Sequence, residues 1–163
     1  MEIDTVFRAA GLSPHGPVNW SDRDAKVDEK QAGVYVVAAK SRVRDWPMCP
    51  IATAQLPELQ LEFEKILWVS DEEIVYIGQT TKQTLTKRIA QFRRHRYGER
   101  SPHRGGQSVH LLACELDIYW SEAEDPERSE AKMLFAFMKQ GGRLPYANRD
   151  LPSTKLLIPK SEL

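Results

Sequence analysis

The stretch Ile74-Val75-Tyr76-Ile77-Gly78-Gln79-Thr80 decides the fold, together with the basic helix expected after it. Its first four residues form a short β-branched and aromatic run, which is typical of a buried strand. Gly78 ends that run and allows a ligand or another backbone to come close. Polar residues 79–83 then connect the strand to the helix.

The residues after this connection predict a helix over Thr84–Tyr97. Leu85, Ile89 and Phe92 fall at positions i, i+4 and i+7, so they form one apolar stripe. Cations surround the stripe and give a neutral chain a local basic surface. The residues that we predict to bind nucleic acid on this surface are Lys82, Lys87, Arg93, Arg94 and His95. The alternative is a solvated helix surface without a ligand.

Two more strands and a second helix complete the predicted framework. Gly33–Ala39 is a β-branched run, and Leu116–Trp120 alternates apolar with polar residues. Asp125 followed by proline predicts the start of a helix over Pro126–Gln140, because aspartate caps helices and proline favours their first position. Glu130 falls on the apolar stripe of that helix, so we expect its carboxylate to face the sheet.

Two short motifs lie on the predicted strands, Gly33-Val34-Tyr35 and Tyr76-Ile77-Gly78. On neighbouring strands their tyrosines could place both hydroxyls on one face. The two motifs resemble the signature of the GIY-YIG nuclease family, with valine in place of the first isoleucine. Other residues follow in the order of that family, namely Arg88, Glu130 and the Asn148 that ends Pro145-Tyr146-Ala147-Asn148. The resemblance covers residues 33–148.

The resemblance implies one α/β (α+β) domain over residues 1–163, with a small, mainly antiparallel or mixed central sheet flanked by helices. It implies a metal-dependent endonuclease, a hydrolase of phosphodiester bonds in DNA, with RNA as the alternative, leaving 5′-phosphate and 3′-hydroxyl ends. Glu130 would hold one Mg²⁺ or Mn²⁺ ion, and Arg88 would bind the phosphate. The implied catalytic residues are Tyr35, Tyr76, Arg88, His103, Glu130 and Asn148. Tyr35 is our preferred general base with Tyr76 as its positioning partner, although the sequence does not decide between them.

The chain departs from the family pattern in two places. Residues 40–73 separate the motif strands, which are usually joined by a short turn, and we interpret them as an insertion. Alternation of Leu59, Leu61 and Phe63 with polar residues predicts a strand there, with a helix over Leu59–Trp68 as the competing interpretation. Phe92 stands where many members carry histidine or tyrosine. His95, two turns after Arg88 on the same face, could substitute for it, and His103 in the following loop matches a loop histidine seen in parts of the family.

Composition limits the remaining classes. With 163 residues, 41% hydrophobic and 28% charged, the chain can form a globular core. Two cysteines are too few for a disulfide framework, and without a signal peptide or long apolar run we expect a cytoplasmic protein and no membrane contact.

Turn residues predict a loop over Ser13–Pro17. Zero net charge keeps open a degenerate nucleic-acid-binding or protein-interaction module. A homodimer or protein partner could supply specificity.

Overall fold

The computed structural model describes residues 1–100 and 105–162, and for residues 51–53 it describes the backbone alone. These described residues form α1 (Ile3–Arg8), β1 (His15–Asn19), β2 (Gly33–Ala39), α2 (Pro50–Gln55), α3 (Glu58–Leu67), β3 (Ile74–Thr80), α4 (Leu85–Arg94), β4 (Leu116–Glu122) and α5 (Pro126–Gly141). Short 3₁₀ helices span Gln107–Leu111, Thr154–Leu157 and Lys160–Glu162. Among the described helices, none combines the length and the apolar character needed to cross a bilayer.

The four strands form one antiparallel sheet in the order β1-β4-β2-β3, which makes the fold α+β. β2 is an inner strand, and all seven of its residues are buried. The predicted pairing of the two motif strands is confirmed, because Tyr35 lies opposite Gly78 and Val37 lies opposite Tyr76. Tyr35 and Tyr76 are therefore diagonal neighbours on one face of the sheet.

A separate hydrophobic core covers each face of the sheet. On the tyrosine face, the predicted α4 stripe of Leu85, Ile89 and Phe92 is at most 1% exposed. On the other face, α1 and α5 pack against residues that alternate with the tyrosine along β2. Residues from α1 and α5 in this second core are Val6, Phe7, Met133, Leu134 and Phe137. The two helices that carry candidate site residues, α4 and α5, are thus held by large apolar contacts.

Caps define the ends of both helices. The Thr84 hydroxyl accepts a hydrogen bond from the backbone amide of Lys87 and caps α4, which ends at Arg94, before the predicted end. The Asp125 carboxylate accepts one from the amide of Arg128 at the start of α5. Gly142, with φ of 76°, ends α5 in the left-handed conformation. The capping signals in the sequence are therefore confirmed.

The predicted loop over Ser13–Pro17 is wrong in part, because β1 begins at His15. β1 is an edge strand, so proline without a backbone N–H is tolerated there. The register also shifts between His15 and Val18, where an irregularity accommodates the Gly-Pro pair. Turn residues in this stretch therefore mark an irregular edge strand.

The strand predicted at Leu59–Phe63 is also wrong, and the competing helical interpretation is confirmed by α3. Leucine, glutamate, glutamine and lysine dominate this segment, and all are strong helix formers. Inside the helix, Leu59, Phe63 and Ile66 fall on one exposed stripe, with exposures of 86%, 53% and 68%. Glu64 instead points inward and is 3% exposed. Residues 40–73 therefore contain two helices, α2 and α3, and no strand among the described elements.

Candidate active site

The two motif tyrosines form a hydrogen-bonded pair. Their ring centroids are 6.1 Å apart, and a hydrogen bond joins their side chains. Gly78 makes room for both rings: a Cβ atom there would lie 2.6 Å from Cζ of Tyr35 and 2.7 Å from Cε1 of Tyr76. The glycine that ends the motif therefore allows the close approach of two phenol rings. We had expected it to admit a ligand or another backbone.

Tyr76 is enclosed by two further neighbours. Gly106 has a φ of +79°, and a Cβ atom on it would lie 2.7 Å from Cε2 and Cζ of Tyr76. Phe92 meets the same ring edge-on, with centroids 5.2 Å apart. Phe92 therefore packs against the tyrosine pair, at the position where the resemblance implies histidine or tyrosine. This leaves the orientation of Tyr76 set by packing on both sides.

Arg88 and Glu130 bring charges of opposite sign to the pair. The Arg88 side chain donates a hydrogen bond to the Tyr35 hydroxyl, and its charge acts on both phenols. Glu130 also lies close enough to act on both phenols. The four residues come from β2, β3, α4 and α5, so the tertiary fold brings them together.

Burial raises the pKa of both tyrosines and outweighs the opposing effect of Arg88. Arg88 lowers the pKa of both phenols, as a nearby cation does, but the net shift is upward. The hydrogen bond between the pair lowers the pKa of Tyr35 and raises that of Tyr76. Both phenols are therefore neutral near pH 7, and the positive charge of Arg88 acts more strongly on Tyr35 than on Tyr76. Tyr76 lines the open cleft.

Glu130 lines the same cleft and is suited to hold a cation. Burial, and then the charge of Glu127 one turn earlier, raises the pKa of the Glu130 carboxyl to about 7. A divalent cation would offset both effects. Mg²⁺ typically takes one or two carboxylates and completes its shell with water and substrate phosphate oxygens. The donor set at this cleft therefore fits Mg²⁺, and Mn²⁺ accepts the same oxygen ligands.

Asn148 closes the open edge of β3. Its amide oxygen accepts from the backbone N–H of Ile77 at 2.9 Å, and its amide nitrogen donates to the Ile77 carbonyl at 2.8 Å. The amide of Ala147 also donates to the Val75 carbonyl at 2.9 Å. These bonds replace a missing neighbouring strand on both sides of Tyr76. Asn148 therefore positions the motif strand.

The structure separates the predicted nucleic-acid-binding residues into two groups. Lys82, Lys87 and Arg94 are exposed cations. Arg93 turns inward, and its guanidinium donates to backbone carbonyls at the end of β1 and in the segment after it, those of Asn19, Trp20, Asp22 and Ala25. His95 is 2% exposed, with its ring 5.8 Å from that of His110. The contacts of Arg93 and the burial of His95 favour structural roles over the predicted binding to nucleic acid. His103 lies outside the described residues.

Sequence reasoning missed one wall of the cleft. α3 contributes Gln60, Phe63 and Glu64, and Arg149 follows Asn148 directly. The Glu64 carboxylate accepts two bonds from Arg149, at 2.9 and 3.0 Å. Gln60 and Glu64 are four residues apart, so a helical interpretation of the insertion would have placed them on one face. The cleft has a volume of about 720 Å³.

A second group of possible metal ligands lies elsewhere. Among the described residues, the ligand atoms of His15, Glu29 and Glu122 all lie within 4.8 Å of one another. The Nε2 atom of His15 is 3.4 Å from a carboxylate oxygen of Glu122, and both side chains are more than half exposed. This group does not include Glu130, so it is not the metal site implied by the resemblance.

Comparisons of the chain with protein-family models, with curated proteins and with solved structures found no match. The resemblance to GIY-YIG nucleases therefore rests on the motif residues and on the way they cluster around Tyr76.

Proposed function

We propose that this protein is a GIY-YIG-type endonuclease, a metal-dependent hydrolase that cuts phosphodiester bonds of DNA. The cluster of Tyr35, Tyr76, Arg88 and Glu130 carries this proposal, with Tyr76 and Glu130 lining the cleft and Tyr35 and Arg88 next to Tyr76. Each is a residue type that phosphodiester hydrolysis can use, and four different elements supply them. The products would be 5′-phosphate and 3′-hydroxyl ends, and RNA is the alternative polymer.

Arg88 binds the phosphate in this proposal. Its planar guanidinium can direct some donors at phosphate oxygens while another stays on the Tyr35 hydroxyl. Packing of α4 on the tyrosine face keeps Arg88 beside the pair. The same residue therefore couples the position of the phosphate to that of the two phenols.

The tyrosine pair orients the attacking water, and one tyrosine accepts the water's proton after losing its own phenol proton to solvent. Tyr76 faces the cleft, whereas Tyr35 lies behind it and is 1% exposed. Arg88 stabilises negative charge on the pair, and further positive charge at the cleft is needed because burial disfavours a phenolate. Glu130 would hold a divalent cation, which would supply that charge together with Lewis-acid stabilisation of the phosphate and leaving oxygens. Glu130 must lose its proton to hold the cation.

A nicking assay on supercoiled plasmid DNA tests the proposal. We expect cleavage by the wild type with Mg²⁺ or Mn²⁺, and a loss of about 10²-fold or more for Glu130→Gln and for Tyr76→Phe. Lys132→Gln, at an exposed position on the same helix as Glu130, is the control and should cut like the wild type. Equal cleavage by the wild type and Glu130→Gln would remove Glu130 from the mechanism.

A module that binds without cutting is the second candidate, favoured by the exposed apolar stripe of α3 and by the raised phenol pKa values. Such a module should lose nucleic-acid affinity evenly for Lys87→Ala and Arg94→Ala, with the salt dependence falling by about one for each lost phosphate contact. Tight binding without cleavage under any divalent cation would favour this candidate. If neither binding nor cleavage is found, a protein partner or a homodimer becomes the better hypothesis.

A further inference from the structure

The wall of the cleft contributed by the insertion has the chemistry of a nucleobase site. We infer that Phe63, Arg149, Gln60 and Tyr97 bind one unpaired base of the nucleic acid, next to the phosphate held by Arg88. The inference rests on the proposed function and gives the insertion a role in substrate choice. All four of these residues line the same cleft as Tyr76 and Glu130.

Phe63 supplies the stacking surface. It is 53% exposed although the neighbouring Glu64 of the same helix is buried, and it lines the concave cleft. Large aromatic side chains left open to solvent in a concave site are the surfaces on which unpaired bases stack. Ile66 lies on the same exposed stripe, but it is not among the described residues that line the cleft. Comparing substitutions of Phe63 and Ile66 therefore distinguishes stacking in the cleft from a general effect of exposed apolar surface.

Arg149 is held as a rigid plane beside that ring. The guanidinium carbon is 5.9 Å from the centre of the Phe63 ring and 5.7 Å from that of Tyr146. Its Nη2 atom donates to both oxygens of buried Glu64 and to the Ser108 hydroxyl at 2.7 Å. The Glu64 carboxylate offsets its charge, so the plane is better suited to stack on a base than to serve as a mobile phosphate ligand.

Gln60 and Tyr97 supply polar groups for the edge of a base. The Gln60 amide donates a hydrogen bond to the Tyr97 hydroxyl, which fixes both side chains at the cleft. The Gln60 amide oxygen and the Tyr97 O–H together present an acceptor and a donor, the groups that read base edges. The site thus combines one stacking face with a polar edge.

The shape of the site selects the class of substrate. A volume of about 720 Å³ is in the range of pockets for single small ligands. A base inside a duplex has both faces covered by its neighbours, so it cannot stack on Phe63 without leaving the helix. The expected substrate therefore presents a base that is single-stranded, displaced or flipped out beside the cut.

Fluorescence of 2-aminopurine tests this inference directly. Glu130→Gln protein is mixed with a single strand of about 12 nucleotides that carries a central 2-aminopurine, and with the same strand in a full duplex. We expect quenching and tighter binding for the single strand. Adding Phe63→Ala should weaken single-strand binding by about tenfold, whereas adding Ile66→Ala should leave it unchanged. Equal binding by the Phe63→Ala and Ile66→Ala proteins would overturn the inference.

Two additions keep the result separate from folding and from catalysis. Phe63→Leu preserves apolar volume without an aromatic face and should bind as weakly as Phe63→Ala, and thermal melting checks that each variant is folded. If the wild type cuts DNA but Phe63→Leu cuts flapped and paired substrates with wild-type kinetics, the base site is wrong and the nuclease stands. If quenching depends on Phe63 but no divalent cation supports cleavage, the nuclease is wrong and the base site stands. Absence of quenching overturns the base site in either case.

Discussion

The raised pKa of Glu130 predicts that removing its charge stabilises the fold while abolishing cleavage. The folded protein retains this proton up to about pH 7, whereas a carboxyl at its ordinary value releases it at 4.5. The stabilisation that comes from the protonated carboxyl is complete below pH 4.5 and is lost as the pH rises through 7. The glutamine of the Glu130→Gln variant imitates the protonated carboxyl and does not titrate. The variant should therefore not lose stability as the pH rises through 7.

The size of the effect follows from the two pKa values. The interval from 4.5 to about 7 corresponds to roughly 3 kcal/mol of unfolding free energy, because a tenfold change in an equilibrium constant is about 1.4 kcal/mol. Residual contact of Glu130 with solvent at the cleft reduces this to about 2–3 kcal/mol. We therefore expect equal stabilities near pH 4.5, and near pH 8.5 a Glu130→Gln protein that is more stable by that amount.

Urea denaturation across this pH range, repeated with Mg²⁺, measures the effect. At a concentration about 100 times its dissociation constant, Mg²⁺ should stabilise the wild type near pH 8.5 by about 2.7 kcal/mol and should leave Glu130→Gln unchanged. Glu127→Gln is the graded control, since it removes the second cause of the raised pKa and leaves the ligand in place. Parallel pH profiles for the wild type and Glu130→Gln, or equal stabilisation of both by Mg²⁺, would refute this reasoning.

Three further substitutions test how the site is held. Gly78→Ala places a Cβ within 2.7 Å of the phenol rings and should cost about 1–3 kcal/mol in urea denaturation, whereas Gly141→Ala, with no neighbouring atom within 4 Å, should cost nothing comparable. Equal losses would contradict the packing argument. Asn148→Ala removes both side-chain hydrogen bonds to the edge strand and should lower the free energy of unfolding by about 1–3 kcal/mol. If Asn148 only positions the strand, the cleavage rate per folded molecule should stay at the wild-type value. Arg93→Met should destabilise the fold by about 2 kcal/mol or more in thermal or urea unfolding. Arg94→Met should weaken DNA binding without a change in stability. The reverse pattern would indicate that Arg93 binds nucleic acid.

Local patterns were sufficient to predict the framework of the site. The β-branched motif strands, the stripe of α4 and the Asp-Pro start of α5 all form where the sequence predicts them. Each signal depends on residues within one or two turns of each other, so the identity of the neighbours in space is not needed. Period and capping chemistry thus predicted where Tyr35, Tyr76 and Glu130 lie in the fold.

Placement and ionisation depended on contacts between distant parts of the chain. Arg149 is paired with Glu64, 85 residues away, and Arg93 bonds to the carbonyl of Trp20, 73 residues away. The strand period in the insertion was misleading for the same reason, since its polar residues Gln60 and Glu64 face a cleft that exists only after folding. Likewise, the direction of the tyrosine pKa shift follows from burial, which outweighs one arginine. Burial and long-range pairing belong to the assembled molecule, because solvent exclusion depends on every element packed around a group and not on its neighbours in sequence.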